Sequence, residues 1–517
     1  MKRAFVCISI FLEGLACPAE AQYLMGQSSS NYAGVHGVYL NPALAADSRM
    51  KVQVHLAGFE SYLYNNYLVW EAPYSMFSMM TNSVSSEYRG PRKGIVFNDQ
   101  EYLREKLNGR AKHARAGGQI IGPGVLVTLN DKNAISVNSR LRVGAAVTRT
   151  TESVARLLRN GTTNDTRIMP EDFGTQLHAN TNGVAEFSAT YARVLLDNEE
   201  EFWKAGVTVK RYVGLHQGHL HGTGIDYSYV PDPDNPTRGN VLLKNVSAQY
   251  GITGDGGFQD FRPTPAWLLG NAAPGSGWGA DIGLVYEYRP DVRKYSYRER
   301  GEVRRDASRN KYLYRISVSL LDIGRMTYKN PTYQNAYRLT RQNRLIDENN
   351  FGNLQGSDSF VLALNETLGA SEADRVNVFR VSMPKSFQAS IDYHLQDNWY
   401  ANATLIHSFA SNSQPAFTMP SVVAASLRYE SKWLDVTVPV SLADNYTRPT
   451  LGIGARAGIF YIGSDNVLPT FNIGNPKGME FYFGAMIPIF RKAPESNLKC
   501  YPEERGGLFR GLFRRKG

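Results

Sequence analysis

Hydrophobicity alternates with a period of two over much of the chain, and this limits the fold more than any motif does. In 432–443, Leu434, Val436, Val438, Val440 and Leu442 share one face, and Trp433, Asp435, Thr437 and Ser441 share the other. In 132–147, Ile135, Val137, Leu141, Val143 and Val147 oppose Ser136, Asn138, Arg140 and Arg142. In 278–289, Trp278, Ala280, Ile282, Leu284, Tyr286 and Tyr288 oppose Asp281, Glu287 and Arg289. Near the end, Met479, Phe481, Phe483, Ala485, Ile487 and Ile489 oppose Glu480 and Tyr482, and weaker versions recur at 385–395, 398–408 and 419–429. Such segments are β-strands with one apolar and one wet face.

Two architectures use strands of this kind: a soluble β-sandwich and a barrel lying in a membrane. The segments run about 9–14 residues, which suits a tilted strand crossing a bilayer. Tyr64, Trp203, Tyr288, Tyr312, Trp399 and Trp433 stand near segment ends, as an interfacial aromatic girdle requires. With 478–490 as a descending strand, tight turns fall near 129–132, 197–200, 396–397, 430–431 and 457–458. Long connections at 71–117, 148–183, 253–277, 323–384 and 464–477 then share the other side. Short turns on one side and long loops on the other mark bacterial barrels. Two connections on the short side, 231–239 and 290–310, are longer than that rule prefers. The expected fold is therefore an all-β, antiparallel transmembrane barrel of about 14–16 strands. A closed sheet also gives every backbone amide a partner in hydrocarbon.

The ends read differently. Residues 1–21 have a basic start (Lys2, Arg3), an apolar run and Ala19-Glu20-Ala21, which is the pattern of a secretory signal peptide. Its removal leaves Cys500 as the single thiol, so no disulfide framework is expected. The division is a signal peptide (1–21), a periplasmic N-terminal lead (22–46), an outer-membrane barrel (47–490) and a basic periplasmic tail (491–517). After Phe490 the tail holds eight Lys/Arg against three Glu, half of the formal charge of +10. It is a candidate docking segment for an acidic envelope protein or for lipid headgroups, or a solvated end. Outside the cytoplasm nucleic acid is not an expected partner, whereas outer-membrane lipid is.

Asn41-Pro42-Ala43-Leu44-Ala45-Ala46 reads as a short helix ahead of the first strand, with Asn41 as cap and Pro42 at the first helical position. It is either a turn on the surface or a plug-like segment that partly occludes the lumen. The Asn41-Pro42-Ala43 turn is distantly similar to the long-chain fatty-acid outer-membrane transporters. A broader resemblance is to an uncharacterised family of outer-membrane barrels from Bacteroidota. It rests on 31–43, Ala46-Asp-Ser-Arg, 130–136, Tyr191-Ala-Arg-Val-Leu, Phe202-Trp-Lys-Ala-Gly, 283–291 and Phe460-Tyr-Ile-Gly-Ser-Asp. That resemblance implies an outer-membrane barrel and no particular activity.

No nucleophile elbow, His-Glu-x-x-His or Walker-type phosphate loop occurs, so the chain reads as non-enzymatic, with no cofactor. His216, His219 and His221 lack a neighbouring Cys, Asp or Glu at ligand spacing, and no metal site is assigned. Asp232, Asp234, Asn235 and Asp255 read as turn residues. Between Asn98 and Asn108 the sequence reads as a loop helix capped by Asn98 with Glu101 three residues on.

By alternation, Arg140, Arg142, Lys204, Lys210, Arg315, Arg428 and Arg456 face the lumen, with Asp281, Glu287, Asp392, Asp435 and Glu480. Such a mixed set suggests pairing between strands and a narrow or filled lumen, since a selective pore shows rings of one sign. An apolar route for a fatty acid is not drawn by these charges. The function expected from sequence is a structural or partner-binding barrel of the cell envelope. The alternative is a porin or transporter for a small or lipophilic solute.

Overall fold

In the computed structural model the described residues are 24–495 without 162–170, 232–238, 255, 263, 271, 300–301, 347, 352–355 and 410–414. The expected signal peptide, residues 22–23, Asp232, Asp234, Asn235, Asp255 and the tail from 496 onward lie outside them.

Fourteen antiparallel strands close into one barrel. They are β1 (Met50–Asn65), β2 (Lys112–Thr128), β3 (Asn133–Thr150), β4 (Glu171–Asp197), β5 (Glu201–Pro231), β6 (Gly275–Tyr288) and β7 (Tyr314–Tyr328). The second half is β8 (Ser386–Gln396), β9 (Trp399–Ser408), β10 (Val422–Glu430), β11 (Leu434–Leu442), β12 (Ile453–Ala457), β13 (Phe460–Ser464) and β14 (Gly478–Phe490). Each pairs with the next, and β14 pairs with β1 from Met50↔Phe490 to Tyr64↔Gly478, so no edge remains. Closure satisfies the ladder amides internally, which a bilayer demands. Positive φ at Asp397 (49°) and Gly458 (60°) permits the tight turns after β8 and β12.

Every strand turns large apolar side chains outward. Ile282 and Leu284, Ile316 and Val318, Val438 and Val440, Phe460 and Ile462, Ile487 and Ile489 are all exposed, Ile462 to 64%. A belt of this kind running round a closed sheet belongs in lipid, not water. No helix among the described residues is long and apolar enough to cross a membrane. Trp203, Tyr286, Tyr288, Tyr314, Trp399 and Tyr429 cluster at the short-turn end as part of the girdle. Tyr64 and Tyr312 do not belong to it. Both are buried inward, Tyr64 taking a hydrogen bond from Arg115 and Tyr312 giving one to Asp392, because a phenol can equally serve a polar interior.

The count is 14, not 16, for a definite reason. Strand β5 pairs with β6 only up to Gly214. Beyond Gly218 it pairs with the strand Gly239–Thr253, which pairs in turn with Gln334–Ile346. These two strands stand above the closed ring at the long-loop end. The connection 231–239 therefore lies at that end and does not break the short-turn rule. The helices Glu152–Asn160 and Gly356–Leu368 cover this extension, burying Tyr227, Leu243, Tyr250, Leu339 and Val361. The loop helix expected after Asn98 is a single turn, Asp99–Tyr102, because Leu103–Glu105 leaves it to pair with Leu68–Trp70.

One stretch of wall is irregular. Pairing of β1 with β2 lapses between His55↔Gly124 and Gly58↔Ile121, and that of β2 with β3 between Ile121↔Arg140 and Gly124↔Asn138. The residues skipped in β2 are Gly122 and Pro123, and proline has no N–H to give the ladder. Their carbonyls are met by side chains instead, His55 Nδ1 at 3.1 Å from Gly122 O and Ser139 Oγ at 3.0 Å from Pro123 O.

Candidate functional site: the plugged lumen

The lead folds into the barrel, not over its surface. Helices α1 (Met25–Ser28) and α2 (Val35–Leu40) and the 3-10 turn Pro42–Ala45 lie inside the ring. Asn41 caps that turn by accepting from Ala43 N (2.9 Å) and uses its amide N–H groups on the carbonyls of Val318 (3.0 Å) and Leu284 (3.3 Å). Ser319 Oγ donates to Leu40 O at 2.8 Å. Two inward glycines make room: a Cβ on Gly206 would stand 2.4 Å from the Pro42 carbonyl carbon, and one on Gly283 2.0 Å from Asn41 Oδ1. Asn41, Pro42 and Ala43 are all buried.

Elsewhere the plug is held by discrete polar contacts. Met25 N and Gly26 N donate to the Asp465 carboxylate (2.8 and 3.2 Å), and Val35 N donates to Gln53 Oε1 (2.7 Å). Ser30 Oγ donates to Asp435 (2.8 Å), Asn31 N to Glu430 (3.1 Å), and Arg315 to Asn31 Oδ1 (2.8 Å). His36 packs edge-on against His55 and Tyr461, with ring centroids 5.1 and 4.7 Å apart, which sets the plug directly behind the irregular wall. Burial and the neighbouring His55 keep His36 well below its ordinary pKa, hence neutral. Burial raises the Asp465 carboxyl, beyond the end of β13, to about 6.

Of the charges read from alternation, Arg140, Arg142, Lys204, Lys210, Asp281, Glu287, Arg315, Asp392, Arg428, Asp435 and Arg456 join ion-pair networks shielded from solvent. On β3 to β7, Arg140 reaches Glu186 (2.9 Å), Arg142 reaches Glu186 and Asp322 (3.2 and 3.1 Å), and Lys210 reaches Asp281 and Asp322 (2.8 and 2.6 Å). Three cations thus meet three carboxylates. On β7 to β12, Arg315 and Arg428 share Asp392 (3.2 and 2.9 Å), Arg428 also holds Glu430 (2.8 Å), and Arg456 holds Asp435 (2.8 Å). At the short-turn end Lys204 pairs with Glu287 (3.2 Å), and Arg289 holds both Glu287 and Asp47. Glu480 lies in a separate group with Glu60 and Asp465, and no ion pair to Glu480 occurs among the described residues.

These side chains are almost wholly shielded: Arg428 is 0% exposed and Lys210 1%. Groups lining a continuous water-filled pore would be wet. In this conformation the lumen is closed by its own charge pairs and by the plug.

Sequence reasoning missed several partners. Glu186 follows a register shift at Gly183/Val184, and Asp322 sits in the bulge between Leu320 and Ile323 with φ 52°. The bulge resets the two-residue period at Asp322, whereas Glu186 stays in phase with Ser188 and Thr190, the extra residue Leu215 lying on β5. His221 stacks on His178 at 4.5 Å, a partner supplied by β4, and His219 stands edge-on to His221 at 6.0 Å. Among the described residues no set of three or more His, Cys, Asp or Glu side chains is arranged to hold a metal ion.

The model of a family of unknown function, DUF5723, matches residues 42–465, from the plug turn to the end of β13. The chain belongs to that family. No curated protein matches this DUF5723 member in sequence. Among solved structures it is similar to the Ralstonia pickettii toluene transporter TbuX, with 10% identity, 89% of this chain and 95% of that chain covered, and a TM-score of 0.36. The Pseudomonas putida toluene transporter TodX gives 9% identity, 90% and 96% coverage, and a TM-score of 0.34. A Pseudomonas aeruginosa FadL homologue gives 10% identity, 92% and 100% coverage, and a TM-score of 0.29.

Proposed function

We propose that this DUF5723 barrel resides in the bacterial outer membrane, short turns toward the periplasm, and passes a small lipophilic solute without catalysis. The observation that carries the reading is the plug. A lumen that only needed to be filled would be filled by wall side chains. Here it is closed by a separate segment, joined to the wall through β1 and held by non-covalent contacts, polar ones and the apolar packing of Val35, Val38 and Leu40. Such a stopper can be displaced without unfolding the barrel.

The irregular wall supports a lipophilic solute over a polar one. The charged lumen is a poor path for an apolar molecule, since desolvating paired charges is costly. At Gly122–Pro123 the ladder is already interrupted on both sides, beside His36 and Tyr461, so a route from the lumen into lipid breaks few further hydrogen bonds. The structural or partner-binding reading retains one supporting observation, the helix-covered sheet extension at the long-loop end.

The test is uptake of a tritiated alkylbenzene by cells expressing the protein, together with conductance of the purified barrel in planar bilayers. The proposal expects uptake above empty-vector cells and a wild-type barrel that is closed most of the time. Uptake equal to the empty vector, with no conductance even when the plug is loosened, would leave a scaffold.

A further inference from the structure

A cavity of about 30 Å³ lies at the base of the lumen, between plug residues Asn31, Gly34 and Gly37 and the inner wall. That space matches about two water molecules or one monatomic ion, and is too small for an organic solute. Four cations line it, Arg49, Lys204, Lys311 and Arg315, against two carboxylates, Asp47 and Glu287.

The surrounding shell does not cancel the excess. Asp47 is shared by Arg49 and Arg289, Glu287 by Lys204 and Arg289, and Asp392 by Arg315 and Arg428. Adding Arg289 and Arg428 against Asp392, Glu430 and the buried Asp306 sets six cations against five carboxylates and leaves one positive charge over. Asp306 is turned to Ser308, accepting from its backbone N (2.9 Å) and its hydroxyl (2.6 Å).

Lys311 is the most telling member. It is buried, and its ammonium donates to two carbonyls, Asp306 O at 2.8 Å and Arg309 O at 3.1 Å. Among the described residues no carboxylate stands within ion-pair distance of it, and an ammonium has a third N–H to place. The carboxylates that act on it from farther off, Asp47 and Glu287, are each already shared by two other cations, and a buried cation so weakly countered is costly. Burial, with Arg49 beside it, accordingly holds Lys311 well below the ordinary lysine range. An anion in the cavity would supply what the side chains do not.

We propose that this cavity is a binding site for a small monovalent anion of the halide class, set between Lys311, Lys204 and Arg315 and the plug. The ion meets wall and plug together, so it fastens the base of the plug. The site stands on this geometry alone and not on the solute-passage reading, because its test reads binding and not transport.

Thermal unfolding of the purified full chain is compared in sodium chloride and sodium gluconate at equal ionic strength, and crystals are grown in bromide for anomalous diffraction. The expected results are a saturable rise in melting temperature with chloride or bromide and a bromide peak in hydrogen-bond range of Lys311 Nζ. Lys311→Met should weaken the halide midpoint at least tenfold, while Arg293→Met, at an exposed site, should leave it unchanged. If Lys311→Met does not fold, the wild-type bromide map decides. Equal melting in both salts, a peak elsewhere, water alone in the cavity, or a peak without a saturable shift would each overturn the site.

Discussion

Gly206→Ala should loosen the plug while leaving the outer wall untouched. The added Cβ would lie 2.4 Å from the Pro42 carbonyl carbon and 2.6 Å from Ala43 N, where ordinary contact begins near 3.4 Å. Both atoms are backbone, so the turn must retreat by about 1 Å, the difference between those separations. A retreat of that size lengthens Asn41 Nδ2 to Val318 O from 3.0 Å, and to Leu284 O from 3.3 Å, beyond hydrogen-bonding range. Two lost hydrogen bonds at about 1 kcal/mol each, with about 1 kcal/mol of residual overpacking, sum to about 3 kcal/mol. That is roughly a hundredfold shift toward the displaced plug. The assay places a cysteine at Ala33, in a Cys500→Ser background, and follows its labelling by an impermeant maleimide. Labelling should accelerate roughly a hundredfold, and bilayer conductance should appear or rise. Val207→Ala, on the lipid face of the same strand, is the control. If Gly206→Ala leaves Ala33→Cys as slowly labelled as before, the plug is not held against β5 in the way described.

Three further outcomes follow from named contacts. Because burial raises Asp465 from 3.8 to about 6, the folded protein holds this proton more firmly than the unfolded chain does. Its contribution is then fully present below about pH 4 and lost as pH rises through about 6, so Asp465→Asn should flatten that slope; since the amide keeps one acceptor oxygen for Met25 N and Gly26 N, its net gain at pH 7 should stay below about 3 kcal/mol. Equal pH profiles for the two proteins would refute this. Arg428→Met leaves Asp392 and Glu430 buried with one cation fewer and should cost about 3–5 kcal/mol in denaturant unfolding; a change within about 0.5 kcal/mol would mean the network is hydrated. Deleting 491–517 tests the basic tail as a docking segment: partners that co-purify with the full chain should be lost, and their retention would remove that role.

The fold was largely legible in the sequence because a barrel strand exposes one face to lipid and the other to the lumen, which writes itself as alternation. Leu434 to Leu442 and Met479 to Ile489 carry that record unbroken, and the grouping of short and long connections gave the two ends. Function was less legible, since the same alternation describes a sealed scaffold and a passage alike. The sequence bounded the strand number at about 14–16 without choosing, because 201–231 and Gly239–Thr253 read equally as three crossings of the ring, and only the pairing of Gly239–Thr253 with the upper part of one continuous β5 lifts it off the ring. The partner Asp322 was beyond reach, hidden by a bulge that resets the period. The seat of the plug was decided by contacts hundreds of residues apart in the chain: Asn41 on Leu284 and Val318, Met25 on Asp465. Periodicity is a local property and fixes which way a side chain points; which opposite charge it meets, and what fills the space between, depends on how the ring closes.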